Sequence, residues 1–376
     1  MISVKDYNAI GNGFTDDTKA FQQALDSGSD TILIPHGAYI ISETLLVHSN
    51  TTILAEPTAR IVMDGETPKL QGRFLLTNAD WEKGNTNIAI IGGVWDGNNQ
   101  GEANFKGDIF DTTRFSGAVL NFFNVDGLKL DGLTVANSVT YNIRMAKLSN
   151  FTIENISFFS DKLAYNQDGL HFNGEVRNGK VKNIRALSKG QTNDDLIALN
   201  ADDSMERVEN IGMTRGDIEN LVIENVYAED CHTIVRMFSV DSAIRNITLR
   251  NIQGGFRFYA INADAGRYCR TPVFDDSEWP NGVGRIENVL VENMTCYCTN
   301  KEQQQPAITL ESLADGLELR NFNLIHQPGN PYEQPAFLAC YVPGTAVDFD
   351  GHTAAIRTRI ESLGIDNFRN LTVTKL

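Results

Sequence analysis

One short pattern recurs along the chain and limits the folds open to it. It runs Asn, apolar, any residue, apolar, any residue, Asn. Apolar residues at every second position indicate a short β-strand with one buried face, and asparagine tolerates the left-handed backbone of tight turns. Each copy therefore predicts a strand bounded by two turns. The copies are residues 150–155, 220–225, 246–251 and 288–293, with a looser copy at 178–183.

The spacing of the copies indicates a coiled architecture. Their second asparagines fall at positions 155, 183, 225, 251 and 293, with gaps of 28, 42, 26 and 42 residues. Repeats of this length are typical of solenoids, in which each unit stacks on the one before it. Because a period of two residues excludes a helical solenoid, the sequence predicts an all-β solenoid whose longer repeats contain inserted loops.

The N-terminal segment predicts a cap for this solenoid. Apolar residues at positions 20, 21, 24 and 25 have helical spacing and predict a helix over residues 16–26, with Thr15 as its N-cap. Strand-like runs follow at residues 31–35 and 38–41. A helix in this place would cover the open end of a coiled sheet, which otherwise invites pairing with other chains.

The sequence shows no linker that would divide the chain into separate domains. Because no Pro-, Gly- or Ser-rich stretch interrupts it, we predict a single domain over residues 1–376. Within it, residues 1–50 form the cap and the first strands, residues 85–376 form the repetitive rungs, and residues 262–285 form a long inserted loop.

Composition excludes several classes of partner. The formal net charge is −16 and no basic block stands out, which argues against nucleic-acid binding. No stretch approaches the ~18 apolar residues of a membrane span. Five cysteines without a regular framework predict no disulfide scaffold, and without a Cys–His cluster we expect no metal site and no cofactor. The chain opens without an apolar leader, which fits a cytoplasmic protein or a secreted one whose signal was removed. A monomer and a homo-oligomer both stay open.

The stretch from residue 166 to residue 200 contains two strand-like pieces that each open on acid. Asp168 opens the first, and Asp194 and Asp195 open the second. If the chain makes one turn between them, the two pieces become neighbouring strands about 4.8 Å apart, and the three carboxylates converge on one solvent-facing side. Carboxylates that close raise the pKa of at least one member. A proton donor beside an ionised base is what hydrolysis of a glycosidic bond requires.

The order of several motifs resembles a known family, the polygalacturonase-type glycoside hydrolases of the pectin-lyase-like superfamily. The resemblance runs from near the N-terminus to about residue 255. The motifs are the cap at 4–25, an early rung at 87–98 that ends in Asp-Gly-Asn, the rung at 128–144, Asn-Gln-Asp-Gly at 166–169, and Asn-Asp-Asp-Leu-Ile-Ala-Leu at 193–199.

This resemblance implies a fold and a reaction. The fold is a single-stranded right-handed parallel β-helix. The reaction is hydrolysis of a polysaccharide or oligosaccharide with inversion, in which Asp194 or Asp195 protonates the leaving oxygen and Asp168, with the other carboxylate, activates water. The expected partner is a carbohydrate substrate.

The resemblance also suggests residues that bind substrate, and it shows two departures. The Gly-His-Gly of the family is absent here, and Phe238 stands where its Arg-Ile-Lys strand has lysine. If Phe238 faces the cleft, we expect poor activity on unbranched polygalacturonate and a preference for a neutral or branched sugar. Asp202 and Asp203 are interpreted as a solvated turn rather than a Ca²⁺ site. The candidate substrate-binding residues are Asn166, His171, His232, Arg236 and Trp279.

Two further readings stay open from the sequence. A polysaccharide lyase on the same fold would use a strong base, such as Arg or Lys. A non-catalytic carbohydrate-binding β-helix, such as a phage tailspike-like adhesin, would need neither acid nor base. Trp279, in the loop at 262–285, either stacks on a sugar ring or anchors its loop to the body.

Overall fold

The computed structural model of the protein describes residues 1–65, 72–100, 117–203, 211–265, 284–299, 307–310, 312 and 314–325. It also describes the backbone of five short strands, at 105–106, 109–110, 338–340, 368–369 and 372–375.

Almost every regular element in this part of the chain is a β-strand. A 3₁₀ turn at Val4–Tyr7 and one α-helix, α1 (Thr18–Leu25), are the exceptions among the described residues. The strands are β1 (Ile2–Ser3), β2 (Asn12–Asp16), β3 (Thr31–Ile34), β4 (Gly37–Ile41), β5 (Leu45–Val47), β6 (Thr51–Ala55), β7 (Ala59–Met63), β8 (Leu76–Asn78), β9 (Asn85–Ile91), β10 (Val94–Asp96), β11 (Phe105–Lys106), β12 (Ile109–Phe110), β13 (Leu120–Asp131), β14 (Thr134–Ala136), β15 (Ile143–Phe159), β16 (Leu170–Phe172), β17 (Val176–Ala186), β18 (Asp195–Asn200), β19 (Ile218–Phe238), β20 (Ala243–Asp264), β21 (Arg285–Cys298), β22 (Ile308–Leu310), β23 (Ala314–Leu324), β24 (Leu338–Cys340), β25 (Phe368–Arg369) and β26 (Thr372–Lys375).

The strands coil into a parallel β-helix, as the sequence predicted. Apart from the antiparallel pair β11–β12, the strands pair in parallel with strands from the turn before or the turn after. Ile223 in β19, for example, lies beside Leu249 in β20, which lies beside Val291 in β21. One sheet of 24 strands runs from β1 to β26. That residues 1–376 form a single domain stays a prediction.

Asparagine ladders fix the corners of the coil. In two ladders, the side-chain amide of each asparagine after the first donates to the side-chain oxygen of the asparagine one turn earlier, at 2.8–3.3 Å. Every member has a left-handed backbone, with φ between 52° and 60°, as the repeat predicted. One ladder comprises Asn150, Asn178, Asn220, Asn246 and Asn288; the other comprises Asn155, Asn183, Asn225, Asn251, Asn293 and Asn321.

We expect the ladders to contribute measurably to stability. Asn225→Ala removes two ladder bonds. It also places in the left-handed region a residue whose side chain cannot hydrogen-bond to the nearby backbone. We therefore expect a loss of about 1–3 kcal/mol in the free energy of unfolding. Asn225→Gly keeps the backbone freedom and should lose less. Urea denaturation of both variants measures the difference. Equal losses would show that backbone strain contributes nothing at this corner.

The N-terminal cap has the predicted helix, with a different cap residue. Helix α1 buries Phe21, whose ring packs edge-on against Tyr39 at 5.0 Å. Asp17, not Thr15, is the N-cap residue. Its carboxylate accepts hydrogen bonds from the backbone N–H groups of Ile10 and Gly11, so it ties the helix start to the preceding loop instead of capping the helix. Among the described residues, no helix has the length and apolarity needed to cross a membrane.

Candidate active site

The acid-led strands stack as the sequence predicted. Leu170 in β16 lies beside Ile197 in β18, and the N–H of Gly169 donates to the carbonyl oxygen of Asp195 at 2.9 Å. Asp168 and Asp195 therefore occupy equivalent positions, two residues before these paired residues, on adjacent turns. The intervening strand β17 pairs with β15 and β19 on another face of the coil, so it does not separate them.

Two of the three carboxylates are buried, which corrects the expectation that all three face solvent. Asp168 is 3% exposed and Asp195 is 2% exposed, whereas the side chain of Asp194 is 26% exposed. Asp195 shares the alternation of Ile197 and Leu199, whose side chains lie in the core, and the next turn covers it. Asp194 is thus the member of the cluster that solvent reaches.

Burial and mutual repulsion alter the acidity of the cluster. Burial, followed by the charge of Asp194, raises the pKa of Asp195 well above its usual value, against the opposing charge of Arg236. The same two causes raise the pKa of Asp168 to about 6, against the opposing effect of His171. Because the three groups interact, their protons belong to the cluster as a whole. Burial and repulsion thus make Asp168 and Asp195 hold a proton more readily than an isolated aspartate does.

His171 lies behind Asp168, away from solvent. It is 2% exposed; its Nδ1 contacts Oδ2 of Asp168, and its Nε2 lies 2.9 Å from Oδ2 of Asp203. Burial lowers the pKa of His171, but the charge of Asp168 and the hydrogen bonds to both carboxylates outweigh burial and raise it to about 9. The imidazole is therefore a cation at neutral pH, held at both nitrogens.

Asp202 and Asp203 are buried, so their interpretation as a solvated turn is wrong. Asp202 is fully buried and accepts hydrogen bonds from the N–H groups of Val240, Asp241 and Ser242 at 2.7–2.9 Å. The Ser242 hydroxyl also donates to it. Asp203, 2% exposed, accepts from Nε2 of His171. Each carboxylate thus has a defined partner in the body of the coil.

Arg236 and Phe238 lie in a buried row on β19. Arg236 is 8% exposed, donates to Asp264 at 3.0 Å, and has Nη1 3.7 Å from Oδ2 of Asp195. Phe238 is fully buried, with the Arg236 guanidinium 5.2 Å from its ring centre. The ring of Phe238 is therefore not exposed to solvent, so the condition on which the preference for a neutral sugar rested is not met. Arg236 acts on the acidity of Asp195.

His232 and Asp194 form the open side of the cluster. The side chain of His232 is 29% exposed, with Nδ1 3.6 Å from Oδ1 of Asp194, and its ring stacks on Phe258 at 4.2 Å. Asn166 lies in the left-handed turn before Asp168, with φ of 56°, and is partly exposed. Trp279 lies outside the described residues. The structure thus gathers His171, His232 and Arg236 around the three acids. Substrate binding stays a prediction for all five candidate residues: Asn166, His171, His232, Arg236 and Trp279.

The same cluster offers donor atoms for a metal ion. One ligand atom each of Asp194, Asp195 and His232 lies within 4.8 Å of the others, the one such group found among the residues that the structure describes. Hard cations such as Ca²⁺ take 6–8 oxygen ligands. Two carboxylates and an imidazole do not complete such a set.

Sequence reasoning missed two neighbours of the cluster. Arg257 donates to Oδ1 of Asn193 at 2.5 Å and to the carbonyl of Asp230 at 2.7 Å, so it ties the turn before Asp194 to the two following turns. Tyr165, 67% exposed, stands on the loop just before Asp168. No motif marks either residue; strand register places Arg257, and only the loop's proximity to Asp168 could have suggested Tyr165.

Comparison with known proteins identifies the family of the chain. A family model described as rhamnogalacturonase A/epimerase, pectate lyase-like, matches residues 1–257. A preneck appendage protein of Bacillus phage PZA is 34% identical over 99 residues, which are 26% of this chain and 12% of the relative. A probable polygalacturonase of Arabidopsis thaliana is 24% identical over 337 residues, 84% of this chain and 70% of the relative. The chain thus spans about an eighth of the phage relative's length.

Solved structures show the same fold at low sequence identity. The Streptococcus pneumoniae surface protein and adhesin PfbA is 15% identical, with a TM-score of 0.59 over 90% of this chain and 88% of that one. The family GH82 iota-carrageenase from A. fortis is also 15% identical, with a TM-score of 0.60 over 93% of this chain and 92% of that one. At this identity, both establish the right-handed parallel β-helix as a shared fold and nothing finer.

Proposed function

This chain belongs to the rhamnogalacturonase A/epimerase, pectate lyase-like family, and from that premise we propose that it is a glycoside hydrolase acting on a polysaccharide or oligosaccharide. One observation carries the proposal. Two buried carboxyl groups with raised pKa, Asp168 and Asp195, stand beside a third, Asp194, that solvent reaches. Carboxyl groups held in different protonation states are what acid–base cleavage of a glycosidic bond requires.

The three carboxyl groups divide the reaction between them. Asp194 or Asp195 protonates the leaving oxygen, and Asp168 with the other carboxylate activates the attacking water, giving inversion. Burial, which raises the pKa of Asp195, favours it as the proton donor, whereas exposure favours Asp194 as the group that touches the sugar. Arg236 limits the rise in the pKa of Asp195 through its opposite charge.

A panel of glycans with product analysis tests the proposal. Reducing ends without ultraviolet-absorbing double bonds indicate hydrolysis, and proton NMR of the first-formed anomer tests inversion. The panel includes polygalacturonate as well as neutral and rhamnose-containing oligosaccharides, because the burial of Phe238 removes the reason to expect a preference for neutral sugars. Products with a double bond would refute hydrolysis in favour of elimination.

A lyase needs a strong base at the cleft, and Arg236 and Arg257, which lie beside the cluster, are both engaged. Arg236 pairs with Asp264 and Asp195, and Arg257 donates to Asn193 and Asp230. An arginine held as a charged donor in this way is poorly placed to remove a proton. The cluster therefore favours hydrolysis over elimination.

A second candidate is a carbohydrate-binding protein without catalysis. Similarity to a phage appendage protein favours it, as does the near-complete burial of two of the three acids. Binding to a glycan of the panel without release of reducing ends would support this reading and would refute the hydrolase.

Two exposed apolar side chains flank the cluster and suit a sugar ring. Leu163 and Tyr165 are 59% and 67% exposed. Their loop is fixed at Ala164, whose N–H donates to Gln167 at 2.8 Å and whose carbonyl accepts from Asn193 at 3.0 Å. Because Gln167 and Asn193 precede Asp168 and Asp194 directly, the loop is held at the edge of the proposed cleft.

We expect Tyr165→Ala to weaken substrate binding. Loss of an aromatic surface that packs on the apolar face of a sugar should raise KM about tenfold, or about 1.4 kcal/mol, with little change in kcat. Steady-state kinetics on the substrate found in the panel measure it. Tyr227→Ala is the matched control, because Tyr227 is also exposed but lies in register with Arg185 on another face. Similar KM values for both variants would remove Tyr165 from the cleft.

A further inference from the structure

Asp203 has a placement that the proposed reaction does not explain. It follows the end of β18, at 2% exposure, and its carboxylate contacts His171 of the cluster. Its Oδ2 lies 2.9 Å from Nε2 of His171 and 3.3 Å from Nδ2 of Asn173. Burial of a carboxylate is costly unless it is paired and hydrogen-bonded, and His171 supplies that pairing.

The two ends of His171 connect Asp203 to the cluster. Its Nε2 faces Asp203 and its Nδ1 faces Asp168. A neutral imidazole carries one N–H only, whereas an imidazolium donates from both nitrogens. Two acceptor carboxylates at opposite ends favour the doubly protonated ring, although Nδ2 of Asn173 also lies 3.0 Å from Nε2. The Tyr141 ring packs against it at 4.4 Å, which restricts its rotation.

We propose that Asp203 is a positioning residue of the acid–base cluster, which acts through His171 to fix the carboxylate of Asp168 and to keep it charged. The proposal rests on the proposed hydrolase function. Asp203 touches neither substrate nor water in this scheme. It holds the imidazolium whose positive charge stabilises the ionised form of Asp168, the form that activates water.

Other charged groups also lie around Asp168 and His171 and influence their pKa values. Asp194 acts on Asp168 by repulsion, and Arg236 acts on it by attraction. Arg144 lies beside His171 one turn earlier and Tyr141 packs on its ring. Asp203→Asn keeps all of these residues, but it also removes the charge that Asp203 exerts on Arg144.

A substrate-free titration is the first test. In Asp203→Asn the negative charge at Nε2 disappears while burial still disfavours the imidazolium, so the pKa of His171 should fall by about three units from about 9. The ring is then largely neutral where Asp168 titrates, and the pKa of Asp168 should rise from about 6. Ring ¹⁵N resonances, assigned with His171→Gln among the six histidines, report the first shift. The ¹³C carboxyl resonance of Asp168 reports the second. An unchanged Asp168 titration would overturn the proposal, whether or not the protein cleaves any glycan of the panel.

Kinetics on a confirmed substrate form the second test. Because Asp168 must be ionised to act as base, a higher pKa moves the acidic limb of the pH–kcat profile of Asp203→Asn to higher pH. We expect kcat at pH 6 to fall 10- to 100-fold, with KM within about twofold. Asp203→Glu should recover part of the loss, and Asp161→Asn, an exposed acid near the cluster, should behave as wild type. An acidic limb at the same pH in Asp203→Asn and in the wild type would overturn the positioning role. If the wild type cleaves no glycan of the panel, the hydrolase proposal is refuted and the substrate-free titration alone tests the role of Asp203.

Discussion

Asp194→Asn and Asp195→Asn should each reduce hydrolysis at least 100-fold while leaving the fold intact. General acid or base catalysis typically contributes 10²–10⁴-fold, and an amide of the same size can neither donate nor accept the required proton. Steady-state turnover on the confirmed substrate measures the loss, and thermal unfolding checks the fold. Near wild-type turnover in both variants would refute the assignment.

The two variants should also separate acid from base. A substrate with a nitrophenol leaving group needs no protonation, so it restores turnover to the variant that lacks the acid. Azide needs no base to attack, so it restores turnover to the variant that lacks the base. The raised pKa of Asp195 leads us to expect the nitrophenol effect in Asp195→Asn. The reverse pattern would assign the acid to Asp194.

The asparagine repeat alone predicted most of the fold. Asparagine in the left-handed region and apolar residues at every second position are local properties, and both follow directly from backbone sterics. The two ladders form because the repeat places an asparagine at the same corner of successive turns, as Asn183 and Asn225 show. Local spacing also predicted the cap helix. The prediction of Thr15 as its N-cap was wrong, because Asp17 takes that position and its carboxylate accepts from the N–H of Ile10, seven residues earlier.

The site was less predictable, because it depends on which side chains the next turn covers. Strand order placed Asp168 and Asp195 together. It gave no sign that both would be buried, or that Phe238 would lie under Arg236. Asp203 looked like a surface acid because its partner, His171, is 32 residues away in sequence. Arg257 carries no motif, and its contact with Asn193 spans 64 residues. Long-range burial and pairing of this kind depend on packing between turns, which a sequence pattern does not contain.

Asp202→Ala should cause the largest loss of stability of any change considered. The Asp202 carboxylate is fully buried and accepts four hydrogen bonds, three from the consecutive N–H groups of Val240, Asp241 and Ser242 and one from the Ser242 hydroxyl. Alanine removes every acceptor and leaves these donors without partners.

Each buried donor left unpaired costs about 1–3 kcal/mol. Since the exposed parts of the 240–242 turn can relax towards solvent, we expect a total loss of about 3–5 kcal/mol in the free energy of unfolding rather than the full sum. Urea denaturation measures it, and Asp161→Ala, which removes an exposed carboxylate, serves as the control. Asp202→Asn keeps one carbonyl oxygen that can take the place of Oδ2, the acceptor of all three N–H bonds, so it should fall between them. A loss below about 1 kcal/mol in Asp202→Ala would mean that the 240–242 turn does not depend on this carboxylate, and that the coil between β19 and β20 is held by its strand pairing alone.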